Sequence, residues 1–166
     1  PAVVIQAACA SSLVAIHQAR RALQHDDCEV ALAGGVELIY SPTRYLLFAA
    51  GGVLSHSGKC TPFSTDAAGF VPGEGAAAVV LKRLDRALAD GDRVYGIIKG
   101  SAVSNDGSVF SQMAPNPRGQ LQAMKQAITE SGLDPLSVEL IETHGTATPV
   151  GDAVEIRALK EAYKGD

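Results

Sequence analysis

Cys9 and His144 are the two side chains of this sequence whose types and settings suit nucleophilic catalysis. Cys9 lies on a tight turn between the apolar run Val3-Val4-Ile5 and a helix that Ser11 or Ser12 is expected to cap. A turn of this kind presents a side chain outward, beside backbone N–H groups that the helix leaves free. A helix N-terminus favours a thiolate by only about 0.3–1 kcal/mol. That is too little to activate a thiol, so a catalytic cysteine here needs a basic partner such as histidine. Position alone also fits a small buried cysteine at a helix start.

His144 supplies the candidate partner. It ends an apolar run and opens His144-Gly145-Thr146-Ala147-Thr148-Pro149, which enters Gly151-Asp152 and a helix. Gly145 lets the backbone approach a ligand closely. Thr146 and Thr148 stand at alternate positions, so in an extended stretch their hydroxyls point the same way. Such a pair suits hydrogen bonding to an amide-rich arm. The other reading makes the threonines caps of the next helix and His144 a hydrogen-bonded core residue, and the segment alone does not separate the two. His17, His25 and His56 read as surface, interface or solvated groups.

The remaining chemistry is sparse. Cys9, Cys28 and Cys60 are odd in number and widely spaced, which points to a reducing, cytoplasmic setting rather than a disulfide framework. No Cys-x-x-Cys or His-x-x-x-His spacing suggests zinc, so no metal site is predicted. Net charge is −4, and the nearest basic cluster, Lys82-Arg83 with Arg86, is interrupted by Asp85, which argues against a nucleic-acid surface. No apolar run approaches the roughly 18 residues that span a bilayer, and the first residues lack the basic lead of a secretory signal. With 46% hydrophobic and 19% charged residues, the chain has the composition of a globular protein.

The elements that must position these groups alternate between strand and helix. Strands are expected at residues 3–7, 76–84, 94–103 and 138–142, and short apolar runs flank Gly34-Gly35 as strand ends or a bulge. Helices are expected at residues 11–24, near 45–49, at 85–90, at 118–131 with Gly132 as its C-cap, and at 152–163 with Ile156, Leu159 and Tyr163 facing inward. Residues 41–75, rich in Gly, Ser, Pro and Thr, read as a long functional loop. This order indicates an α/β architecture with buried mixed sheets. A chain that begins inside an apolar strand is expected to be a piece of a longer one.

Taken in order, the segments resemble the β-ketoacyl synthase family, most closely the ketosynthase domains of modular type I polyketide synthases. Ala8-Cys9-Ala10-Ser11-Ser12-Leu13-Val14-Ala15 is similar to the family's active-site cysteine motif. Glu142-Thr143-His144-Gly145-Thr146-Ala147-Thr148-Pro149-Val150-Gly151-Asp152 is similar to its first histidine motif. Leu32-Ala33-Gly34-Gly35-Val36, Gly69-Phe70-Val71-Pro72-Gly73-Glu74-Gly75, Val80-Leu81-Lys82-Arg83-Leu84 and Gly100-Ser101-Ala102-Val103 resemble further family blocks. The likeness runs along essentially the whole chain.

The resemblance implies a thiolase-like layered α/β/α/β/α fold, only partly covered by this fragment. Residues 1–84 correspond to the end of the N-terminal half with the nucleophile, and residues 85–166 to the start of the C-terminal half with the first catalytic histidine. It implies decarboxylative Claisen condensation, with Cys9 accepting an acyl chain and His144 assisting decarboxylation of a malonyl-type extender. The resemblance further implies that Thr146 and Thr148 hold the phosphopantetheine arm of an acyl carrier protein and that no cofactor is bound directly. By the same resemblance the backbone N–H of Cys9 is expected to contribute to an oxyanion hole, and Glu155 to orient the site indirectly. A homodimer in the cytoplasm is implied, with no nucleic-acid or membrane partner. A stand-alone fatty-acid condensing enzyme shares this chemistry, and a non-elongating ketosynthase that only binds or transfers acyl chains is a further reading. A Cys/His hydrolase leaves the threonines unexplained.

Some positions depart from the pattern. Gln6-Ala7 replaces the common Asp-Thr, Ala10 a usual Ser, Ser104 a common Asn, and Met113 a frequent Thr before Ala114-Pro115. The family's second catalytic histidine, a nearby lysine and the glycine-rich loop fall beyond residue 166. The piece alone is therefore expected to be inactive.

Overall fold

A computed structural model describes residues 1–107 and 114–164, so Met113 lies outside the described residues. The helices are α1 (Ser11–Gln24), α2 (Thr43–Ala50), α3 (Leu84–Ala89), α4 (Pro117–Ser131) and α5 (Pro149–Ala162), and the strands are β1 (Val30–Glu37) and β2 (Gly75–Lys82). Single 3-10 turns occupy Ala8–Ala10 and Pro135–Ser137. The chain forms two compact units, each from two stretches of sequence: Pro1–Leu38 with Glu74–Lys99, and Ile39–Gly73 with Gly100–Asp166.

In the first unit β1 and β2 pair antiparallel, from Val30 opposite Lys82 to Glu37 opposite Gly75. Gly34-Gly35 does not interrupt β1, in contrast to the two short runs expected. The glycines are there for closeness rather than for a break. A Cβ on Gly34 would lie 2.3 Å from the Ala77 carbonyl oxygen across the ladder, and one on Gly35 would lie 2.8 Å from the Ser12 Cβ of α1. The first turn of α1, which follows Cys9, therefore sits directly on the sheet. Leu23, Ala33 and Ala87 are its buried apolar residues. Beyond α3 the chain folds back so that Lys82 bridges Asp90 and Asp92, and these hydrogen bonds raise the lysine pKa above its ordinary value. Arg83 joins Asp26, in the turn after α1, to Asp85.

In the second unit α5 packs on α4. Asn116 caps α4 by accepting the Arg118 N–H, Pro117 occupies its first turn, and Gly132 ends it in the left-handed region at φ 67°. The buried stripe of α5 is Asp152, Glu155, Ala158 and Ala162, whereas Ile156, Leu159 and Tyr163 are only half-buried. The apolar spacing pointed to the neighbouring face because two of the four inward residues are carboxylates. Lys125 of α4 lies 3.7 Å from Glu161 of α5. The hydrogen bond from Lys164 holds the Glu161 carboxyl below the usual range. The 41–75 loop carries α2 and a Phe48–Phe70 edge-to-face contact with centroids 5.3 Å apart.

Three expected strands are not strands here. Residues 3–7, 94–103 and 138–142 have no ladder, and Val4 and Leu140 are 87% and 83% exposed. Their apolar character is sheet-like, but a strand exists only where a neighbour takes its backbone hydrogen bonds. Among the described residues the β1–β2 ladder and the isolated Leu54–Phe70 bridge are the only pairings. Residues 100–104 lean on α4 instead: the Ser101 N–H donates to Glu130 (2.7 Å), and the Ser104 hydroxyl donates to the Gly119 carbonyl (2.6 Å).

The close approach at Gly34 makes a prediction. Gly34→Ala forces its methyl into a backbone carbonyl and costs about 1–3 kcal/mol of stability in urea unfolding of the complete protein.

Candidate active site

Cys9 is exposed and sits in the middle of the Ala8–Ala10 turn. The preceding residue, Ala8, is in the left-handed region at φ 47°. For a residue with a Cβ that conformation costs on the order of 1–3 kcal/mol, and such strain persists where surrounding bonds fix it. Here Ser11 fixes it, accepting the Ala7 N–H (2.9 Å) while donating to the Ala8 carbonyl (2.7 Å). The Ala10 N–H closes the turn on the Ala7 carbonyl at 3.0 Å. Neither serine acts as the expected helix cap. Ala10 holds the cap position without a side-chain bond, and Ser11 works backwards on the turn that carries Cys9. A small buried cysteine is not what the structure holds.

The second unit brings His144, Thr146 and Thr148 together in one segment, while Cys9 belongs to the first unit. His144 is exposed, and its position is set through its backbone. Glu155, 7% exposed on α5, accepts the N–H of His144 with one carboxylate oxygen (2.6 Å) and that of Gly145 with the other (2.9 Å). A buried carboxylate is tolerated because both oxygens are hydrogen-bonded.

Thr146 and Thr148 do not lie on an extended stretch. Gly145 and Ala147 are both left-handed, at φ 53° and 55°, and Ala147 is fully buried, its carbonyl accepting the Gly69 N–H at 2.7 Å. The kink still places the two hydroxyls on the same side, 3.0 Å apart and hydrogen-bonded to each other. Thr148 stands at the N-cap of α5 without a side-chain capping bond, so capping does not explain the pair.

The 41–75 stretch, expected to be a functional loop, braces this segment through contacts that sequence reasoning did not anticipate. Asp152, 7% exposed, accepts the Phe63 N–H at 2.6 Å, and Phe63 is itself left-handed at φ 60°. Cys60 Sγ lies 3.8 Å from the Gly145 carbonyl oxygen, and Gly69 reaches Ala147 as above. Asp152 and Glu155 are three residues apart and share one helix face. Two acids three residues apart, followed on the same helix face by Ala158 and Ala162, were the available signal. Among the described residues no cluster of three or more His, Cys, Asp or Glu could hold a metal ion, and no helix is long and apolar enough to cross a membrane.

Comparison with known proteins covers the same ground. Residues 1–87 match the family model described as the N-terminal domain of β-ketoacyl synthase, and residues 95–166 match that of its C-terminal domain. The chain is 46% identical over 164 residues to polyketide synthase PksN of Bacillus subtilis, covering 99% of this chain and 3% of that protein. It is 45% identical over 163 residues to 6-methylsalicylic acid synthase of Aspergillus niger, covering 98% of this chain and 9% of that protein. Among solved structures, the oxazolomycin ketosynthase domain OzmH KS7 of Streptomyces albus JA3453 superposes with a TM-score of 0.96 at 44% identity, covering 99% of this chain and 28% of that one. The ketosynthase from module 6 of the bacillaene synthase of Bacillus subtilis 168 gives 0.91 at 43% identity, covering 93% and 28%. This chain thus spans under a third of either solved chain. The α/β, thiolase-like class expected from the sequence is the class of these domains, represented here in part.

The Glu155 clamp is open to a direct check. Glu155→Gln turns one acceptor into an N–H₂ group facing a donor, leaving a backbone N–H unsatisfied at a cost of about 1–3 kcal/mol. Hydrogen exchange at the His144 or Gly145 amide is expected to accelerate by on the order of tenfold or more in the complete protein. Unchanged protection at both amides contradicts the clamp.

Proposed function

The chain belongs to the β-ketoacyl synthase family, and on that premise we propose that it is the central part of an elongating ketosynthase of a modular polyketide synthase. Residues 1–84 are the end of the N-terminal half and residues 85–166 the start of the C-terminal half, a reading supported by the order of the two matched family models. The observation that carries the catalytic assignment is Cys9 itself: an exposed thiol on a strained turn, locked by Ser11 at the start of α1.

In the proposed reaction the Cys9 sulfur attacks the carbonyl carbon of an acyl thioester on a carrier protein. A carbon–sulfur bond to Cys9 forms, and the carrier's phosphopantetheine thiol leaves with a proton. A malonyl-type thioester on a carrier then loses carbon dioxide, and the electron pair of the broken carbon–carbon bond becomes an enolate. The enolate carbon attacks the Cys9 thioester, forming the new carbon–carbon bond and returning the Cys9 thiolate.

His144 donates a hydrogen bond to the extender's thioester carbonyl as negative charge develops there. Its backbone is held by Glu155, so its side chain projects from a fixed point. The Thr146 and Thr148 hydroxyls bind the amides of the phosphopantetheine arm, which arrives with the substrate, and the Cys9 N–H helps to hold the oxyanion. The partners are acyl carrier protein, acyl and malonyl-type thioesters and a second copy of the chain, in the cytoplasm.

Two variants of the complete protein test the assignment. Cys9→Ala abolishes acyl loading from a carrier or a thioester mimic, and normal acylation by intact mass spectrometry refutes Cys9 as nucleophile. His144→Ala retains loading but loses carbon dioxide release from malonyl-carrier; undiminished release removes its proposed role.

A further inference from the structure

The Thr146–Thr148 hydroxyl pair is shaped by a residue with no side chain. Gly151 lies in the first turn of α5, where its backbone is helical and any L-residue fits. A Cβ built on it would lie 2.3 Å from the Thr148 hydroxyl oxygen and 3.1 Å from that of Thr146. Both values are below ordinary contact, and both threatened atoms belong to the pair. The backbone around the pair is braced from the other side: Ala147, between the threonines, is buried and left-handed, with its carbonyl on the Gly69 N–H. Gly69 in turn has φ 114° and lies so close to Val53 that a Cβ would be 2.3 Å from its carbonyl oxygen. The threonine backbone therefore has little freedom to retreat, and a methyl group at Gly151 must turn the hydroxyls instead.

Helix propensity makes the point sharper. Helix propensity favours alanine over glycine, so it gives α5 no reason for glycine at this position. Its absent side chain is explained by the room it leaves for two oxygens.

We propose that Gly151 is a positioning residue for the carrier arm: its bare backbone sets the Thr146–Thr148 hydroxyl pair in the orientation that receives the arm's amides. This rests on the reading of those hydroxyls as the arm's binding groups. Gly151 touches no substrate and acts through the threonines.

The test uses the complete ketosynthase and two extender substrates: malonyl on its acyl carrier protein, and a malonyl thioester of a simple alkyl thiol that lacks the arm's amides. Gly151→Ala is expected to raise KM for the carrier-bound extender about tenfold, as loss of one or two hydrogen bonds does. It should leave kcat within about twofold, the KM for the simple thioester unchanged and the thermal midpoint no lower than in the parent protein. An equal loss with both substrates, or a fall in thermal midpoint that accounts for the loss, overturns the inference and marks Gly151 as merely structural. Thr146→Val with Thr148→Val separates this from the underlying reading. If the double variant raises the carrier KM while Gly151→Ala does not, Gly151 has no positioning role and the threonine assignment stands. If the double variant leaves the carrier KM unchanged, the threonine assignment itself fails.

Discussion

Burying a carboxylate is costly unless its oxygens are hydrogen-bonded, and Glu155 meets that condition with the backbone N–H groups of His144 and Gly145. Much of the second unit's site follows from this one contact. With two consecutive amides fixed, the chain leaves His144 in a set direction. It then turns through left-handed Gly145 and Ala147 before entering α5, the helix that carries Glu155. The clamp is a closed local circuit, in which a helix holds the segment that leads into it. Asp152, on the same face, extends the arrangement to the 60s loop through Phe63.

The first unit solves a similar problem with smaller groups. Ser11 takes one backbone N–H and gives its own proton to a neighbouring carbonyl, holding Ala8 in a conformation that residues with a Cβ avoid. Gly35 lets the start of α1 rest on β1 beneath that turn. In both units the side chain proposed for the chemistry, Cys9 or His144, is exposed, and polar bonds to the backbone beside it set its position. Hydrophobic packing contributes support farther away, at Leu23 and Ala33 in one unit and Ala158 and Ala162 in the other.

Much of this was legible in the sequence. Helical periodicity and the glycine C-cap located α1 and α4 to within a residue, and the motif order around Cys9 and His144 pointed to the family that the comparisons support. Strand identity at residues 3–7, 94–103 and 138–142 was not legible, because apolar character records the tendency to pair and not the presence of a partner. The inward face of α5 was misread for a different reason. Hydrophobic patterning does not register a buried Asp152 or Glu155, whose burial depends on backbone donors from elsewhere in the chain. The extended threonine row was likewise replaced by a kink, since a non-glycine residue in the left-handed region, Ala147, carries no sequence signal.

The central claim is that Cys9, and no other cysteine, carries the acyl chain. Peptide mapping by mass spectrometry, after the complete protein has been incubated with acyl-carrier, addresses it most directly. The account predicts the acyl mass on the peptide containing Cys9, with the Cys28 and Cys60 peptides unmodified. An acyl group on Cys28 or Cys60 while Cys9 stays free contradicts it.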